Sequence, residues 1–178
     1  MTLEVVVIAT IRIVGSLPVL RWPLLGGLLA ILVDLSDLLL MDVLDLGGVP
    51  DYQSLDKWLD QLYLALFLVV ALRCTNPARA IAIALYAYRL VGFVLFELSG
   101  ERGLLLWFPN VFEFWFILVA FVGDDRVAGW SRARLGLTLA VLTLLKEIQE
   151  WALHGARLFD SIGALEAIDL VWQRLTGQ

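Results

Sequence analysis

Long runs of apolar residues, separated by short polar breaks, recur along most of the chain. A transmembrane helix needs about 20 mostly apolar residues, and six runs meet that requirement. The breaks between them contain proline, glycine or charged residues, which end helices. The pattern therefore predicts an all-α polytopic membrane protein, a bundle of six transmembrane helices with spans over residues 3–20, 23–46, 56–74, 78–98, 103–122 and 133–154.

The segment after the sixth run has a different pattern. Its apolar residues fall near one helical face and most of its charged residues lie elsewhere on the helix, which is typical of an amphipathic helix in the membrane interface. A helix that covers the bundle or a partner subunit gives the same pattern. We accordingly divide the chain into a transmembrane bundle over residues 1–155 and a C-terminal amphipathic helix over residues 156–178.

Composition supports a lipid environment. The chain is 61% hydrophobic with a mean hydropathy of +0.86, whereas soluble domains are roughly 45–50% apolar. Its net charge of −5 argues against a nucleic-acid partner, which requires basic patches. One cysteine and one histidine exclude an intrachain disulfide and a multi-histidine metal site. The expected partners are the lipid bilayer and either a membrane complex or further copies of the chain.

The distribution of basic residues predicts the orientation of the bundle. The N-terminus lacks the features of a cleavable signal peptide, so we take it as part of the first span. The second and fourth connections carry only Lys57 and Arg102. Because basic residues concentrate in cytoplasmic loops, the first, third and fifth connections should be cytoplasmic and both termini non-cytoplasmic. Those three connections carry Arg21, Arg73, Arg79, Arg126, Arg132 and Arg134.

Polar residues of the predicted spans fall on one helical face of each span. Charged groups within a bilayer normally face the bundle interior or a hydrated cavity. The stripes therefore predict a shared polar core that opens toward the non-cytoplasmic side. Its candidate ion- or substrate-binding residues are Asp34, Asp37, Asp60, Arg89, Glu113, Glu147, Glu150 and His154.

Acidic residues outnumber basic ones in this predicted core. Surplus carboxylates at low dielectric bind a cation, take up protons or meet a cationic ligand. Glu113 has no basic neighbour in the sequence, so we expect it either to pair with Arg89 or to be protonated. For Arg89 itself we expect an ion pair with a carboxylate.

The sharpest pattern is Asp34-x2-Asp37 followed by Asp56-x3-Asp60. Paired carboxylates on facing helices are suitable ligands for Mg²⁺ or Ca²⁺, so these four residues are candidate metal ligands and a divalent cation is the candidate cofactor. In the alternative interpretation, Asp56 caps its helix, and Asp34 and Asp37 pair with Arg12 or Arg89.

This spacing resembles the signature of the CDP-alcohol phosphotransferases, a family of six-span enzymes. The resemblance covers residues 34–60 and aligns Asp34, Asp37, Asp56 and Asp60 with the four metal-binding aspartates of the family. It implies that Asp60 is the catalytic base and that the acidic residues face the cytoplasm, opposite to the orientation predicted from the arginines. The family's glycine after the second aspartate is Leu38 here, its alanine–arginine pair is Met41–Asp42, and the interval to Asp56 is one residue longer.

Three functions agree with these patterns. The first is a transport or channel-like protein that handles a cation, a proton or a cationic solute. The second is a membrane-embedded, metal-dependent enzyme that acts on a lipid-linked substrate. The third is an accessory subunit of a larger membrane complex, in which buried charges keep the helices in register.

Overall fold

A computed structural model describes residues 2–36, 52–101 and 103–150. Within these ranges every regular element is helical and no strand occurs, so the all-α prediction is confirmed for the described chain. The predicted amphipathic helix at 156–178 lies outside the described residues. The helices are α1 (Leu3–Ser16), α2 (Pro23–Leu35), α3 (Tyr52–Ala71), α4 (Ala78–Ser99), α5 (Gly103–Trp107), α6 (Val111–Val122), α7 (Asp124–Ala128) and α8 (Arg132–Glu150).

Two described helical segments are long and apolar enough to cross a membrane, namely Leu3–Leu20 and Ala78–Ser99. The first joins α1 to a 3₁₀ turn over Leu17–Leu20. Two shorter apolar helices, α2 and α6, accompany them. The six-span bundle is therefore not confirmed, although its first and fourth spans agree closely with these helices.

The predicted fifth span, 103–122, is not one continuous helix. It is divided into α5 and α6 by residues 108–110, because Pro109 has no backbone N–H to donate to a preceding turn. The third span also differs from its prediction, since α3 begins at Tyr52 rather than near residue 56. Asp56 consequently lies inside the helix and not at its N-cap.

Three antiparallel helix pairs form the bundle. In the first, α1 packs on α2; in the second, α3 packs on α4; in the third, α6 packs on α8. Helix α6 also packs on α2, α3 and α4, so its aromatic side chains fill the centre. Phe67 of α3 stacks on Phe116 of α6 with ring centroids 4.1 Å apart, and the Trp115 indole donates to the Ala78 carbonyl over 3.1 Å.

The surface and the interior have an unusual distribution of polarity. Several of the largest apolar side chains are exposed, among them Leu98 at 81%, Trp107 at 77% and Phe121 at 74%. At the same time Arg12 and Glu113 are only 3% and 4% exposed. Soluble proteins rarely bury charged residues fully unless they are paired, so both groups are expected to have partners inside the bundle.

Candidate functional site

An arginine and three aspartates from three helices form the first polar centre of the bundle. The guanidinium of Arg12 donates from Nη1 to Asp56 over 2.9 Å and from Nη2 to Asp60 over 2.8 Å. Nη2 also donates to Asp34. Lys57 adds a second cation, with Nζ 2.7 Å from Asp56 and 3.1 Å from Asp60. We call these five residues the Arg12 cluster.

Helix geometry explains why these residues meet. Asp56 and Asp60 are four residues apart and so share one face of α3. Asp34 lies eleven residues after Pro23, and Asp60 lies eleven residues before Ala71. Pro23 and Ala71 line the same cleft at one end of the bundle. At 1.5 Å per residue, both aspartates therefore lie about 16 Å from that end.

The Arg12 cluster has the dimensions of a metal site. One carboxylate oxygen from each of Asp34, Asp56 and Asp60 lies within 4.8 Å of the other two. A divalent cation with bonds of about 2.0–2.6 Å holds its ligand oxygens no more than roughly 4–5 Å apart, which is twice the bond length. The same three residues, however, already share the Arg12 guanidinium. A metal ion and Arg12 would therefore compete for the same oxygens.

A second polar centre surrounds Glu113 of α6. Oε2 of this carboxylate accepts from the Tyr63 hydroxyl over 2.9 Å and from Asn110 Nδ2 over 3.0 Å. Lys146 of α8 approaches the same oxygen at 3.6 Å and donates to Gln149 over 3.0 Å. Glu113, Tyr63, Asn110 and Lys146 form what we call the Glu113 cluster, and all four are buried.

Arg89 does not form the ion pair expected from the sequence. Its guanidinium donates over 2.8 Å to the carbonyl of Phe108, and no carboxylate of the described residues is within 4.0 Å of it. The break before α6 accounts for this arrangement, because it leaves the Phe108 carbonyl outside any helix and in need of a donor. Glu113 pairs with Lys146 instead of Arg89.

Four other residues predicted for the site are only partly covered by the described part of the chain. Glu147 is partly buried on α8 and has an interaction of its own. Glu150 is the last residue of that helix, and its side chain is not among the described ones. Asp37 and His154 lie outside the described residues.

Sequence reasoning does not identify three residues of the interior, one partly buried and two buried. Lys57, which it places in a connection, is the partly buried one, and its position three residues before Asp60 puts it on the same face of α3. Glu4 is 1% exposed, and its charge within an apolar run was the available signal. Gln61 is buried, and within the described part of the chain neither its amide nitrogen nor its carbonyl oxygen has a hydrogen-bond partner. On α3 it lies between Asp60 of the Arg12 cluster and Tyr63 of the Glu113 cluster.

The two clusters balance most of their own charge. Asp34, Asp56 and Asp60 face Arg12 and Lys57, while Glu113 faces Lys146. The acidic surplus expected from the sequence is thus smaller among the described residues, because Lys57 is part of the core. Comparison of the chain with protein family models, with curated proteins and with solved structures finds no match.

Proposed function

We propose that this chain is an integral membrane protein whose Arg12 cluster is the active centre of a divalent-cation-dependent enzyme acting on a lipid-linked phosphate substrate. The convergence of Asp34, Asp56 and Asp60 within 4.8 Å carries this proposal. Asp34 precedes Asp56 by 22 residues, and the two lie on different helices, α2 and α3. The three converging aspartates are also three of the four that the resemblance to CDP-alcohol phosphotransferases aligns with metal ligands.

A membrane location is supported by the distribution of polarity. Exposed leucines cover the outer faces, whereas Arg12 and Glu113 are buried and hydrogen-bonded. Water cannot solvate polar groups in the hydrocarbon core, so intramembrane charges turn inward and find partners. The apolar segments Leu3–Leu20 and Ala78–Ser99 have the length to span it.

In this proposal the aspartates hold the cation and Arg12 controls access to them. A bound divalent cation neutralises and orients phosphate oxygens. Without it, the Arg12 and Lys57 cations compensate carboxylates that would otherwise be costly to bury. Asp60, which both cations contact, is placed to accept the proton of an attacking hydroxyl once those contacts open.

The experiment measures Mn²⁺ binding to the purified full-length chain in detergent by electron paramagnetic resonance. We expect one Mn²⁺ to bind to the wild type, to bind more tightly to Arg12→Met because its competitor is absent, and not to bind to Asp60→Asn. Glu97→Gln, an exposed carboxylate on α4, is the matched control and should behave as the wild type. The second readout is Mn²⁺-dependent CMP release from a CDP-linked lipid. Absence of Mn²⁺ binding in both the wild type and Arg12→Met would contradict the proposal.

A second candidate function, cation or proton transport, rests on Glu113. This residue lines a cleft of about 440 Å³ between α2, α6 and α8, together with Leu28, Phe114 and Gln149. The carboxylate thus belongs both to the buried cluster and to a surface cleft. If the protein conducts protons or cations through this cleft, Glu113→Gln should abolish their flux into liposomes, whereas Glu97→Gln should not. Equal flux in the two variants would eliminate this candidate and leave the enzyme and accessory-subunit hypotheses.

A further inference from the structure

A second cleft lies at the opposite end of the bundle from the polar clusters. It has a volume of about 400 Å³, within the roughly 300–1,000 Å³ of small-ligand sites. Its lining includes Trp22 before α2, Ala82 of α4, and Trp115 and Val119 of α6. The cleft is therefore mostly apolar, with Asp124 as the charged residue of its lining, and it reaches from the end of the bundle toward the aromatic centre.

The connections at this end are held together by two polar contacts. Arg73 donates over 3.5 Å to the carbonyl of Leu20, and the backbone N–H of Thr75 donates over 2.7 Å to Asp124. The second contact lowers the pKa of the Asp124 carboxyl, since the hydrogen bond favours its charged form. Three connections thus form one continuous rim around the cleft.

That rim is rich in arginine. Arg21 precedes the cleft residue Trp22, Arg73 precedes Cys74, and Arg79 follows Ala78. Together with Arg126 of α7 they form what we call the arginine rim, and all four are exposed. Among the described residues, none of them has a carboxylate within 4.0 Å. Arg73 and Arg126 donate to backbone carbonyls, which are uncharged, so no ion pair among the described residues neutralises the positive charge of the rim.

We infer that the arginine rim and its cleft bind an anionic phospholipid, with an acyl chain in the cleft and the phosphate among the arginines. An apolar cleft alone would accept any acyl chain. The four rim arginines outnumber the two nearby carboxylates, Asp124 of the cleft lining and Asp125 beside it. They select a negative headgroup, because basic pockets between membrane helices attract anionic lipids. This inference rests on the proposed membrane location but not on the metal or on the enzymatic activity of the Arg12 cluster.

The test is native mass spectrometry of the full-length chain in detergent with phosphatidylglycerol and phosphatidylcholine of identical acyl chains. We expect phosphatidylglycerol to bind at least roughly 25-fold more tightly. Each arginine contributes roughly a fivefold factor, so Arg73→Gln/Arg79→Gln should weaken phosphatidylglycerol binding by roughly 25-fold and leave phosphatidylcholine unchanged. The control Arg132→Gln/Arg134→Gln removes the same charge from the start of α8, outside the rim, and should retain the preference.

Two further measurements separate the acyl chain from the headgroup. Ala120→Phe fills the cleft at a partly buried lining residue and should reduce the binding of both lipids without changing the preference for phosphatidylglycerol. Glycerol phosphate, which has a phosphate but no acyl chain, should not compete. Equal affinity for the two lipids, the same loss in both double variants, or effective competition by glycerol phosphate would each overturn the inference.

Discussion

The hydroxyl of Tyr63 donates a 2.9 Å hydrogen bond to Oε2 of Glu113, across the interface of α3 and α6. Both side chains are buried, so this contact gives a carboxylate inside the bundle one of its few donors. Because Tyr63 lies one turn after Asp60 on α3, the same helix supports both polar clusters.

Removal of this donor should destabilise the protein. A hydrogen bond to a charged group contributes about 1.5–3 kcal/mol, so Tyr63→Phe should lower the melting temperature in detergent by several degrees. Tyr88→Phe is the matched control, since the Tyr88 hydroxyl donates to an uncharged group, the carbonyl of Trp107, and a bond between uncharged groups contributes only about 0.5–1.5 kcal/mol. Equal melting temperatures for Tyr63→Phe and the wild type would show that Glu113 does not depend on this bond.

The sequence predicted helix positions better than it predicted charge pairs. The fourth span, 78–98, agrees with α4 at Ala78–Ser99, because its apolar run is uninterrupted and polar residues at both ends mark where the helix begins and ends. The 100° rotation per residue also predicts the polar faces of α1, α2 and α3, and Arg12, Asp34 and Asp60 of these faces meet in the Arg12 cluster. The expected pairing of Glu113 with Arg89 is wrong, because Lys146 contacts Glu113 instead; helical phase gives the face of a residue but not the neighbouring helix that supplies its counter-ion.

Loss of Arg12 should cost more than loss of Lys57. Arg12 contacts three carboxylates and is 3% exposed, whereas Lys57 contacts two and is 17% exposed. Breaking a buried ion pair costs about 3–5 kcal/mol. With divalent cations removed by EDTA, Arg12→Met should therefore melt roughly 10 °C below the wild type and Lys57→Met clearly less. The reverse order would mean that Lys57, not Arg12, is the main counter-ion of the cluster.

Gly26 allows the first hairpin to close. A Cβ at this position would overlap the backbone nitrogen of Val19 and the carbonyl carbon of Pro18, neither of which can move as a flexible side chain can. Gly26→Ala should destabilise the protein by about 1–3 kcal/mol. Gly136→Ala, where nothing lies within 4 Å of the new atom, should instead stabilise α8 by about 0.5–1 kcal/mol. A lower melting temperature for Gly26→Ala and a higher one for Gly136→Ala would confirm that Gly26 closely approaches the backbone of Pro18 and Val19.

Cys74 can decide the orientation of the bundle. It is the only cysteine of the chain, it lies in the connection between α3 and α4, and it is partly exposed. The arginine distribution predicts that this connection is cytoplasmic. A membrane-impermeant maleimide should then label Cys74 in inside-out vesicles but not in intact cells. The reverse would place the acidic clusters toward the cytoplasm, as the resemblance to CDP-alcohol phosphotransferases implies.

The reaction of Cys74 should also depend on pH in a defined direction. Burial raises the pKa of its thiol, and the nearby charge of Asp124 raises it further. The thiolate is the nucleophile, so labelling at pH 7 should be slower than that of a small free thiol and should accelerate steadily toward pH 9. Asp124→Asn removes the negative charge and should increase the rate at pH 7, while Asp125→Asn on the same short helix serves as the control. A rate unaffected by Asp124→Asn would contradict the contact between the two connections at this end of the bundle.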